Sequence, residues 1–188
     1  MKHFEGGKQS LLTENAYIAS LEDNPVPIGS ADRVKKIVPT DILKVRHSDI
    51  NRYGVTALKN LETGIRLGSY EGILTDVKTE IGNAWKLQDG KFIDATDETT
   101  SNYLRFVNCA RTQQEENLEA FECKDDLYYK TKRNILKGDE LLVFYGISFA
   151  ENSGIDMKTY YGEEDTKKVS RPRSKRTSAS TYNVQDEE

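Results

Sequence analysis

Tyrosine is the residue type in this chain best suited to chemistry. There are ten tyrosines, and three stand in strand-like runs with small or polar neighbours: Tyr70 in Ser69-Tyr70-Glu71-Gly72, Tyr129 in Leu127 to Thr131, and Tyr145 in Leu141 to Gly146. A tyrosine ring can wall a channel while its hydroxyl aims a lone pair or a proton at a bound group. The plainer alternative is three core tyrosines with partnered hydroxyls. Cys109, after Asn108, could act as a nucleophile with His47 as base, the other histidine being His3. No spacing joins them, and a cysteine beside a strand reads as a small core residue. Among 31 acidic residues no spacing selects a carboxylate pair. Gly6-Gly7-Lys8 lacks the upstream glycine and the following Ser/Thr of a phosphate-binding loop. With two cysteines in all, neither a disulfide framework nor a four-cysteine zinc site can form, and no metal is expected.

The elements that must position these residues are short. Apolar runs alternate with glycine-rich punctuation: Ile37-Val38, Val55 to Leu58, Ile65 to Leu67, Phe92-Ile93, Leu118 to Phe121, Leu127 to Thr131 and Leu141 to Tyr145. Many short strands at close spacing predict a β-rich fold, mainly β with short helices. Leu136 to Asp139 is a turn delivering the chain into the last strand. Asp97 to Asn102 predicts a turn or helical stub. Upstream, residues 1–33 are polar and irregular; Leu11 to Leu21 has the content of one short helix, ended by Asn24-Pro25 and Pro27.

Composition bounds the rest. The chain has 188 residues, is 36% hydrophobic and 31% charged, and has a formal charge of −4, so charge alone predicts no grip on nucleic acid. No apolar run approaches a membrane span, and the first residues lack an apolar signal core. Lys167 to Arg176, KKVSRPRSKR, is strongly basic and is followed by Ser/Thr-rich sequence and an acidic end. It reads as a nuclear import signal, a phosphate contact or a solvated charged tail. Apolar residues nearly vanish after Gly162, and residues 163–188 are expected to be disordered.

The run Leu104 to Arg111 with its Asn108-Cys109 step, the strands Asn117 to Phe121 and Leu127 to Thr131, and the closing Phe144-Tyr145-Gly146 together resemble the PR/SET lysine methyltransferases. The closest likeness is to the meiotic-recombination PR-domain histone H3 methyltransferase. Residues 34–162 carry the resemblance. It implies the SET fold, small curved sheets around a C-terminal segment threaded beneath the Asn-Cys turn. It also implies methyl transfer from S-adenosyl-L-methionine to a lysine of a histone tail, histone H3 first, in the nucleus, with the tail or the nucleosome as partner.

By the same resemblance Tyr145 is the catalytic tyrosine, and Tyr70 and Tyr129 complete the lysine channel. Asn108 and Cys109 hold the cofactor, as do Asn51, Arg52 and Tyr53 in the turn before Gly54, and Asn83. Ile81, Gly82, Ala84 and Trp85 lie on the strand that pairs with the tail. The chain departs from the family pattern in three ways. Arg52 and Tyr53 bring bulk to a glycine-rich turn, Asn83 replaces a tyrosine, and no zinc-finger array follows, so no sequence-specific DNA binding is expected. The altered turn also motivates an alternative, a weak or inactive PR-type interaction module recognising a histone tail or corepressor.

Overall fold

The computed structural model describes residues 20–77, 83–124, 126–152 and 154–161. The strands are β1 (Ser20–Leu21), β2 (Leu43–Arg46), β3 (Gly54–Ala57), β4 (Arg66–Leu67), β5 (Ile73–Thr75), β6 (Ala84–Lys86), β7 (Phe92–Asp94), β8 (Asn108–Cys109), β9 (Leu118–Cys123), β10 (Asp126–Thr131) and β11 (Leu142–Val143). Helices are short: α1 (Arg33–Lys36), α2 (Ile147–Asn152), α3 (Met157–Tyr161) and a 3-10 turn at Tyr103–Phe106. The fold is therefore β-rich as expected, mainly strands with short helices.

One sheet runs β1-β4-β10-β9-β11-β8, a second pairs β2 with β3, and a third runs β5-β7-β6. The β9–β10 hairpin is the longest ladder, from Asp126↔Cys123 to Thr131↔Leu118. Its runs, rich in aromatic and apolar residues, suit a pleated, half-buried surface. β11 enters late in the chain between two earlier strands and lies parallel to both, with Leu142↔Asn108, Val143↔Cys109 and Val143↔Leu118. This insertion brings Tyr145, half-buried, against the main core. Asn117 guides it: its amide nitrogen donates to the Glu140 carbonyl at 2.7 Å, and its Oδ1 accepts from the Leu142 N–H at 2.8 Å.

Two local expectations are corrected. Ile37-Val38 is not a strand; Ile37 caps α1, and the pair buries its side chains from a loop that turns at Pro39. Leu21 does not end a helix but lies in β1, paired in parallel with Leu67. The remainder of that helix, like the tail beyond Tyr161, lies outside the described residues. Leu21 and Arg33 are both buried, so the packed body already begins within residues 20–33.

Beneath this segment lies a buried polar cluster. Asp23 accepts from the Asn102 amide at 2.9 Å, and the Tyr103 hydroxyl, Glu71 and Arg33 lie around its carboxyl. Burial pushes the Asp23 carboxyl up to about 6, against the Asn102 hydrogen bond, with the Glu71 charge adding to the rise. The folded chain thus holds this proton more tightly than the unfolded chain does. Stability falls as pH rises through the window from about 4 to 6, by on the order of 3 kcal/mol. Asp23→Asn should flatten that slope in urea titrations and raise the midpoint at pH 7.5.

Candidate active site

The three tyrosines converge. Tyr129 in β10 faces Leu67 of β4, and three residues further on the Tyr70 N–H donates to the Leu127 carbonyl at 2.6 Å. The Tyr70 and Tyr129 rings are 6.0 Å apart. Trp85, in β6, joins the remaining members, with its ring 5.9 Å from Tyr129 and 5.4 Å from Tyr145. Phe149 of α2 closes edge-on against Tyr145 at 4.8 Å.

The hydroxyls have defined polarity. A carbonyl only accepts, so Tyr70, bonded to the Asn83 carbonyl at 2.9 Å, and Tyr145, bonded to the Val107 carbonyl, both donate their protons there. Each keeps lone pairs for anything entering the cluster. An indole N–H only donates, so Tyr129 accepts from Trp85 Nε1 at 2.8 Å and keeps its own proton to give. Burial raises all three phenols well above the ordinary tyrosine value. At physiological pH none is a phenolate.

Asn108 lies one residue beyond the carbonyl that holds Tyr145. Its amide nitrogen donates to Glu140 Oε1 at 2.7 Å and to the Tyr53 carbonyl at 2.8 Å, with Ser48 Oγ at 3.3 Å. Ser48 Oγ donates in turn to the Glu140 carboxylate at 2.9 Å. Gly54 is required by the same knot: a Cβ there would meet the Glu140 carboxylate and come within 2.9 Å of Ser48 Cβ. The glycine is thus demanded by a protein carboxylate. Ser48, Asn117 and Glu140, to none of which the sequence assigns a site role, are the residues that fix this corner; single polar residues carry no pattern that reveals them.

Cys109 is buried, and burial raises its thiol. His47 is exposed, and no contact between the two is seen among the described residues. The cysteine–histidine alternative therefore does not assemble.

The turn residues split by exposure. Asn51 and Arg52 face solvent, while Tyr53 is half-buried, edge-on to Phe106 at 5.5 Å, with the Arg52 guanidinium 5.2 Å above its ring. Arg52, Tyr53 and Phe106 line a cavity of about 220 Å³ with Lys35, Val45 and Glu98. Asn83 engages through its backbone carbonyl, which accepts from both Tyr70 and the Ala95 N–H; this contact belongs to the tyrosine cluster. Ala84 and Trp85 pair with Asp94 and Ile93 of β7, and β6 is an edge of its sheet. Ile81 and Gly82 lie outside the described residues.

Residues 42–156 match the PR domain of PR domain zinc finger protein 2. The chain belongs to the PR-domain family. It is 31% identical over 144 residues to human histone-lysine N-methyltransferase PRDM7, which covers 72% of this chain and 29% of that protein. It is 34% identical over 102 residues to Caenorhabditis elegans histone-lysine N-methyltransferase set-17, covering 51% of this chain and 37% of the relative. The chain thus spans about a third of the length of these relatives. Among solved structures, the methyltransferase domain of human PR domain-containing protein 2 superposes with a TM-score of 0.52 at 30% identity, covering 66% of this chain and 92% of that one.

Proposed function

We propose that this chain is a nuclear protein-lysine N-methyltransferase that uses S-adenosyl-L-methionine and acts on a histone tail, with histone H3 as the expected substrate. The observation that carries this reading is the polarity of the tyrosine cluster: two hydroxyls oriented as acceptors and one as a donor around one aromatic-walled point. An unprotonated lysine amine has two N–H groups and one lone pair. Tyr70 and Tyr145 can accept the N–H groups and leave the lone pair free to point along the channel.

The amine must first lose a proton, which costs about 4–5 kcal/mol at neutral pH from a free pKa near 10.4. No phenol is available as base, so the walls of Tyr70, Trp85, Tyr129 and Tyr145 act by desolvation, which disfavours the ammonium form. They also act by orientation, since a nucleophile held in line with its target avoids much of the barrier. The edge of β6 at Ala84-Trp85 would take the tail as an added strand, with its lysine directed between the tyrosines.

When bound, S-adenosyl-L-methionine supplies an electrophilic methyl group on a sulfonium. The donor set of the cavity fits such a molecule. Arg52 and Lys35 are cations for its carboxylate, Glu98, paired with Arg105 at 2.8 Å, is the anion its amine would share, and Tyr53 and Phe106, which carry the Arg52 and Arg105 guanidinium groups, are aromatic walls for its purine. Asn108 positions this wall through the Tyr53 carbonyl. Asn108 and Cys109 share a backbone with Val107, so the cofactor side and the lysine side meet at this step.

The test is methyl transfer from labelled cofactor to recombinant histones and nucleosomes. Label on histone H3 is the expected result, and no label on any histone would overturn the assignment. A second reading, a PR-type module that recognises a tail or corepressor without transfer, draws on one observation. At about 220 Å³ the cavity is smaller than the about 300–1,000 Å³ of ordinary ligand pockets. Calorimetry separates the two: micromolar cofactor affinity supports the enzyme, and no binding at millimolar cofactor supports the module.

A further inference from the structure

The segment ahead of the family match, residues 20–41, is tied to the tyrosine cluster at one place. Tyr70 lies in the loop Ser69 to Gly72, and that loop is gripped on both sides. On one side the Asn102 amide nitrogen donates to the Ser69 carbonyl at 2.8 Å and to Asp23 Oδ2 at 2.9 Å. On the other side Arg33 Nη1 is paired with the Glu71 carboxylate and donates to the Ser101 carbonyl at 2.6 Å, while its Nε donates to the Val26 carbonyl at 3.1 Å. Arg33 is only 4% exposed. Gly72 then packs so closely on β7 that a Cβ would lie 2.5 Å from the Asp94 carbonyl oxygen.

A buried arginine is costly unless its donors are used. Here its described bonds all end on backbone carbonyls of neighbouring loops or on Glu71. The guanidinium fork fixes several directions at once, as an ammonium does not. The loop is thereby held at Ser69 and Glu71, and Tyr70 between them has its own N–H on Leu127 and its hydroxyl on Asn83.

We propose that Arg33 and Asp23 are positioning residues of the site: Arg33, through the Glu71 carboxylate, and Asp23, through the Asn102 amide on the Ser69 carbonyl, hold the loop on either side of Tyr70 and so set where its hydroxyl stands. The segment preceding the PR match is then a working part of the domain. This rests on the reading of Tyr70 as a wall of the lysine channel, and one measurement below is independent of that reading.

The test uses the whole chain with two variants, Arg33→Lys and Glu71→Gln. Glu71 is partly exposed, so the second variant should stay folded even if the first does not. Amide hydrogen exchange over residues 69–72 is read first. An increase of tenfold or more in folded variants, with β9 and β10 unchanged, supports the clamp, and unchanged exchange overturns it. Methyl transfer is read beside it. The expected result is a fall of tenfold or more in kcat on an H3 peptide with cofactor affinity unchanged by calorimetry. Faster exchange at 69–72 with full transfer would overturn the positioning role. If the wild type itself transfers no methyl, the exchange result still decides the clamp, and the methyltransferase reading alone fails.

Discussion

Tyr145→Phe should reduce methyl transfer by on the order of 100-fold or more while leaving the fold and cofactor affinity nearly unchanged. The substitution removes one oxygen and keeps the ring, so the edge-on contacts with Trp85 and Phe149 survive. What is lost is a hydroxyl whose proton is committed to the Val107 carbonyl and whose lone pairs face the cluster. Such an oxygen gives its strongest service when charge builds on a neighbouring nitrogen, as it does when an amine acquires a methyl group. The loss should therefore appear in kcat more than in the peptide KM. The Val107 carbonyl is left without its donor, which costs about 1–3 kcal/mol of stability. A thermal midpoint within several degrees of wild type is the control. Full turnover by a folded Tyr145→Phe protein would remove Tyr145 from the chemistry.

The contrast between Tyr145 and Trp85 marks what the chain's sequence conveys. Leu127 to Thr131 and Leu141 to Tyr145 are legible as strands because aromatic and β-branched residues crowd them, and Tyr129 and Tyr145 follow as candidates. Trp85 is legible only as part of a tail-binding strand. That its indole N–H reverses the polarity of the Tyr129 hydroxyl depends on pairing across 44 residues, and no local pattern encodes it. Arg33 is a sharper case. In a polar, irregular stretch a lone arginine reads as solvated, yet its bonds close contacts over 38 and 68 residues. α3 is hidden for the same reason: Tyr160 is buried, and its ring packs tilted against Phe144 at 4.4 Å, a partner the periodicity of five residues cannot announce. Long-range closure of polar groups is a property of the folded topology, so the sequence yields the strands and the candidate tyrosines but not the bonds that aim them.

Asn108 sets the second large effect. By resemblance it is a cofactor contact, whereas its amide nitrogen is held inside the protein by Glu140, Tyr53 and Ser48. Asn108→Ala leaves the Glu140 carboxylate with the Ser48 hydroxyl alone and the Tyr53 carbonyl without this donor. Removing a partner from this half-buried carboxylate costs about 2 kcal/mol, which for a chain of this size lowers the midpoint by about 4–8 °C. Gly54→Ala should cost a comparable amount by another route, because the new Cβ displaces the same carboxylate. Since both changes break one knot, the double variant should be less destabilised than the sum of the singles. Cofactor affinity should fall in Gly54→Ala as well as in Asn108→Ala, because the Arg52–Tyr53 wall depends on Glu140 staying in place. If Asn108→Ala instead keeps its midpoint and loses only cofactor binding, Asn108 serves as a ligand contact and the Glu140 knot is held by Ser48.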